Sequence, residues 1–114
     1  MKIRITSQQL RFRLGQAEVR QIETTGRIEE KIRIGEAELI FTLATDKSSK
    51  FNLQMRDRQI VLTIPLQQAK KWSRSDEVGI NANIDGVEIS IEKDFKCLHG
   101  DELQADSFPN PLAT

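Results

Sequence analysis

Residues 77–94 read EVGINANIDGVEISIEKD. Val78, Ile80, Ala82 and Ile84 alternate with polar or small residues; Asp85-Gly86 interrupts, and Val87, Ile89 and Ile91 resume the alternation. A period of two puts the apolar side chains on one face of an extended strand. Asp-Gly supplies the positive φ angles that a two-residue type I′ turn requires. The stretch therefore predicts an antiparallel hairpin with one dry face and one wet face.

The same grammar runs outward along the chain. In 27–34, Ile28, Ile32 and Ile34 share a face; Gly35-Glu36 turns; in 37–45, Leu39, Phe41 and Leu43 return. FNLQM (51–55) and QIVLTI (59–64) bracket RDR and predict another hairpin. Near the N-terminus, Lys2–Thr6 and Leu10–Leu14 alternate as strands do. Two stretches break the pattern. In GQAEVRQIETTG (15–26), Ala17, Val19 and Ile22 gather on one helical side and Gly26 offers a left-handed stop, predicting a helix over 16–25. In PLQQAKKWSRS (65–75), Pro65 suits a helix start, and Leu66, Ala69 and Trp72 recur at helical spacing, with Trp72 the anchor to the sheet.

The order is ββαββββαββ. The expected fold is α+β: an antiparallel, curled sheet of six to eight strands, two helices on one face, and an ordered C-terminal tail over about 95–114. Each helix follows a strand and leads into a hairpin, an internal echo that leaves a duplication open. At 114 residues the chain is expected to form one domain, 1–114.

Composition narrows the function. Lys and Arg number 17, and so do Asp and Glu, so no global field recruits nucleic acid or an anionic membrane. Phe12, between Arg11 and Arg13, falls in the core phase, there is no Tyr, and Trp72 belongs to a helix, so there is no base-stacking platform. One cysteine forms no internal disulfide, which points to a reducing compartment. MKIRITSQQLRFRL (1–14) lacks the apolar run of a signal peptide, and no stretch approaches a membrane span. The expectation is a cytoplasmic protein.

Several stretches carry a family likeness. MKIRIT, LRFRLGQAEV, AKKWSRSDEVGI (with Ala69, Trp72, Ser75, Asp76, Glu77 and Val78), IEKDFKCLHGDE and DSFPNP together resemble a family of short uncharacterised bacterial proteins with no assigned function. The resemblance spans nearly the whole chain, and its closing motif is the most specific part. It implies a stand-alone protein rather than a piece of an enzyme, and no activity. Gly15 departs from the longer polar residue expected before the first helix.

Two constellations hold candidate chemistry. Cys97 and His99, the only cysteine and histidine, leave one face of an extended segment, flanked by Asp94, Asp101, Glu102 and Asp106. A thiolate and an imidazole suit a transition metal such as Zn²⁺, but a structural zinc needs four protein ligands and a catalytic one three. The alternative is a small buried thiol beside a hydrogen-bonded histidine. A Cys-His nucleophile lacks an orienting third group and an oxyanion donor loop. The second constellation is cationic: Arg4, Arg11, Arg13 and Arg33, with Lys2 and Lys31, fall out of phase with the apolar residues. Glu29, Glu38, Glu88 and Glu92 share that phase. Such a face is suited to an anion such as polyphosphate with a divalent metal, or serves only as a solvated sheet surface.

The first functional expectation is a non-enzymatic binding or interaction module, without cofactor, for a protein partner or small ligand, with a homo-oligomer among the options. The alternatives are a metal-binding protein or enzyme built on Cys97 and His99, and an anion binder built on the charged face.

Overall fold

A computed structural model describes residues 1–95. Eight strands and two helices follow in order: β1 (Lys2–Ile5), β2 (Gln9–Leu14), α1 (Gln16–Thr25), β3 (Arg27–Ile34), β4 (Ala37–Asp46), β5 (Asn52–Arg56), β6 (Gln59–Pro65), α2 (Leu66–Ser73), β7 (Gly79–Ile84) and β8 (Val87–Lys93). The hairpin that decides the reading pairs Ile80 with Ile91, Ala82 with Ile89 and Ile84 with Val87, as its phase requires. Asp85 and Gly86 both take positive φ at its turn.

The sheet organisation departs from a single antiparallel sheet. The strands form two four-stranded sheets, β1-β2-β8-β7 and β3-β4-β6-β5, and neither closes into a barrel. Each sheet joins two antiparallel hairpins through a parallel central pair, β2 with β8 and β4 with β6. Side chains alternate with the same period in parallel and antiparallel strands, so alternation cannot announce which hairpin strands meet at the centre of a sheet. Only a long-range ladder decides it. Each helix carries the chain from one sheet to the other, α1 from β2 to β3 and α2 from β6 to β7; the two pack on each other and both contact β4.

The faint echo in the sequence is a register-for-register structural repeat. Residues 1–46 and 52–93 are each a ββαββ unit. Ile3 opposite Phe12 corresponds to Leu53 opposite Leu62, and Ile5 opposite Leu10 to Met55 opposite Ile60. Ile28 opposite Leu43 corresponds to Ile80 opposite Ile91. The parallel ladders agree as well: Leu10 beside Ile89 corresponds to Ile60 beside Phe41. On the helices, Ile22 answers to Trp72. Even the two buried polar residues among the described residues, Thr42 and Ser90, occupy equivalent positions. The sequences of the halves differ, and what they share is the placement of apolar residues.

One cluster of buried side chains fills the space between the sheets, with Phe12, Leu14, Leu43, Leu62, Ile64, Ile89 and Ile91 at its centre. Each such side chain contributes about 1.5–3 kcal/mol by leaving water. Helix α1 starts without a side-chain cap at Gly15. Glu18 compensates: its carboxylate accepts the Gly15 N–H at 3.0 Å. The helix stops at Gly26, whose φ of 77° closes the last turn through an N–H bond to the Ile22 carbonyl.

Candidate functional site

The cationic candidates divide between the sheets. Lys2, Arg4, Arg11 and Arg13 lie on the outer face of the β1-β2-β8-β7 sheet, where Lys2 stands opposite Arg13 and Arg4 opposite Arg11. Four cations thus form a square on adjacent ladder positions. Arg33 lies on β3, an edge strand of the other sheet, and its Nε donates to the Gly35 carbonyl at 3.2 Å. It takes no part in the square, so the sequence-predicted set of four arginines is not one site. Shared phase gives only the face of a residue's own strand, and the split into two sheets separates faces that the sequence makes look continuous.

The parallel ladder brings β8 to the square. Ser90 lies beside Arg11 and Glu92 beside Arg13. The Ser90 hydroxyl donates to Glu92 Oε2 at 2.8 Å, which orients the carboxylate. Arg13 Nε reaches Glu92 Oε1 at 3.4 Å. Arg11 Nε lies 3.7 Å from Glu92 Oε2, within ion-pair reach but beyond a hydrogen bond. That nitrogen is buried, and among the described residues it has no hydrogen-bond partner. Arg4 makes no ion pair among the described residues. One carboxylate therefore serves two guanidinium groups, and one guanidinium N–H is left unsatisfied.

At the corner of the square, Lys2 Nζ is 2.9 Å from Asp94 Oδ2. The Lys2 hydrogen bond, with the charges of Lys2 and Arg13, outweighs desolvation and holds the Asp94 carboxyl below its ordinary pKa. Asp94 is thus paired with the Lys2 ammonium, and its candidate metal partners Cys97, His99 and Asp101 lie outside the described residues. A depressed carboxylate pKa stabilises the fold above the unfolded-state pKa, and the contribution is lost as pH falls through the folded-state value. The stability difference between wild type and Asp94→Asn should be present at about pH 6 and vanish below the ordinary carboxylate range, near about pH 2. Denaturant titrations at the two pH values read it, and a difference that persists unchanged at the lower pH refutes the assignment.

Cys97, His99, Asp101, Glu102 and Asp106 lie outside the described residues, as does nearly all of the predicted ordered tail. Among the described residues no group of three or more His, Cys, Asp or Glu side chains is placed to hold a metal ion. Nor is any helix among them long and apolar enough to cross a membrane.

Sequence reasoning missed two features. Ser90 reads as one more wet-face residue, and its place beside Arg11 depends on the parallel β2-β8 register. An apolar cleft of about 330 Å³ opens between the edge strands β1 and β3, lined by Met1, Ile3, Ile5, Ile32, Ile34 and Leu39. Ile5, Ile32 and Ile34 are each more than half exposed there. Their phase marks them as core residues, and their exposure follows from edge-strand position, which the sequence does not declare.

Fold and site together define an α+β protein of two ββαββ halves interleaved into two mixed sheets, with a cationic square on one outer face. The chain belongs to a family of unknown function, DUF7009, whose match spans residues 1–112. No curated protein and no solved structure matches it.

Proposed function

We propose that the protein is a non-enzymatic binding module that takes a polyanion, a phosphate chain or its chemical equivalent, on the outer face of the β1-β2-β8-β7 sheet. The observation that carries this reading is a comparison of the two halves. Lys2, Arg4, Arg11 and Arg13 correspond to Asn52, Gln54, Val61 and Thr63 on the other sheet. Glu92 corresponds to Ala44. The same backbone, in the same register, covers those positions with neutral side chains. A wet sheet face therefore does not need the four cations, and like charges directly opposite one another are destabilising. An anion lying across the square would offset that repulsion. Arginine forks match phosphate oxygens in pairs, and Arg4 makes no ion pair among the described residues that would compete for its fork.

Titration with tripolyphosphate, with and without Mg²⁺, tests the reading through the melting temperature. Ligand at about 100 times its Kd stabilises a folded state by about 2.7 kcal/mol, a shift of several degrees for a chain of this size. Arg4→Gln combined with Arg11→Gln should abolish the shift, whereas Arg33→Gln should leave it intact. An unchanged melting temperature at millimolar tripolyphosphate, or equal loss from Arg33→Gln, defeats the proposal.

A further inference from the structure

We infer that the surface each half of this chain presents to the other also accepts the matching half of a second copy, so that two chains exchange halves about the connection between Asp46 and Asn52. The partner is a second copy of this chain, and the exchange involves no anion. Each half contributes one hairpin to each sheet. Both central ladders, Gln9–Leu14 with Glu88–Lys93 and Ile40–Asp46 with Gln59–Pro65, run between halves. A half by itself leaves the inner edges of β2 and β4, or of β6 and β8, without hydrogen-bond partners over their whole length. What fills those edges must offer two strands at the same spacing and in parallel register. Within one chain the other half does so, and the other half of a neighbouring chain offers an identical surface.

Only residues 47–51 tie the halves together. Lys47, Ser48, Ser49 and Lys50 are all exposed, and the turn is held by local bonds, Ser48 N–H to Asp46 Oδ1 at 2.9 Å and Lys50 N–H to Ser48 Oγ at 3.1 Å. The connection must pass around β6, which separates β4 from β5. Two interstrand spacings amount to about 9.6 Å. Closure within one chain is favoured by the high effective concentration of the tethered half, on the order of millimolar. That preference depends on the linker spanning β6. A linker that is too short removes the closed monomer and leaves exchange as the route to the same ladders.

Deleting Lys47–Lys50 leaves two Cα–Cα steps, about 7.6 Å at full extension, too short to pass β6. Light scattering on the deletion variant should give twice the mass of its own chain, which is four residues shorter than the 13.0 kDa wild type, with unchanged strand content by circular dichroism. Exchange is distinguished from other dimers by adding Ile40→Cys and Gln59→Cys, partners in the β4-β6 ladder, to a Cys97→Ser background. In a half-exchanged dimer oxidation links two chains, and denaturing electrophoresis shows a covalent dimer. A folded monomer, or a dimer whose disulfide stays within each chain, overturns the inference. Should the deletion prevent folding, the same cysteine pair in the full-length chain decides. Refolding at about 1 mM followed by oxidation should trap covalent dimer that is absent after refolding at about 1 µM. Its absence at both concentrations overturns the inference equally.

Discussion

Trp72→Ala is expected to destabilise the protein by about 3–5 kcal/mol, the range for removing a large buried aromatic side chain. Small domains are stable by only about 5–15 kcal/mol, so the variant should be largely unfolded in moderate urea. Trp72 is fully buried on α2, the helix that carries the chain from one sheet to the other. Its indole N–H donates to the Val78 carbonyl at 3.1 Å and fixes the segment leading into β7. Lys93 lays its ammonium 5.7 Å from the ring centroid while donating to the Ser75 carbonyl at 2.7 Å. One side chain therefore joins α2, the 74–78 segment and the end of β8. Trp72→Phe separates the contributions: it keeps most of the apolar contact and removes the N–H, for an expected loss of about 1–3 kcal/mol. Urea midpoints at constant slope measure both variants. A loss below about 1 kcal/mol for Trp72→Ala contradicts the anchoring role.

Phe12→Ala is expected to cost about as much, about 3–5 kcal/mol, through a different contact. Phe12 is buried on β2 in one sheet, and its ring meets Phe41 on β4 of the other sheet edge to face, centroids 6.5 Å apart at 70°. The T-shaped geometry sets the positive edge of one ring against the negative face of the other, adding about 0.5–1.5 kcal/mol beyond area burial. The pair ties the two sheets together inside the first half. In the second half Leu62 and Ile89 hold the corresponding positions. A double-mutant cycle of Phe12→Leu and Phe41→Leu should return a coupling of about 0.5–1.5 kcal/mol. Strict additivity of the two losses would show that the rings contribute area alone.

The contrast between these residues shows how much of the fold the sequence made legible. Trp72 sits in a helical pattern with Leu66 and Ala69, so its burial and helix followed from local spacing. Phe12 was legible only as far as its phase: it belonged to the dry face of a strand. Its partner across the core was not, because nothing local connects residue 12 to residue 41. The candidate site divides in the same way. Alternation put Lys2, Arg4, Arg11 and Arg13 on wet faces, and the β1-β2 hairpin made them a square. The addition of Ser90, the choice of Glu92 from the four glutamates of that phase, and the exclusion of Arg33 came from strand pairing between distant segments.

By itself the sequence determined every element, three of the four hairpins, and which face of its own strand each residue takes. These follow from steric turn preferences, side-chain period and helix caps, all acting within about ten residues. The tertiary structure decided that the hairpins join as two mixed sheets, that the halves repeat each other in register, and that the positions of the cationic square are neutral in the other half. Those outcomes depend on which strand edges meet, and edge pairing is governed by the burial of one shared core rather than by any stretch of chain on its own.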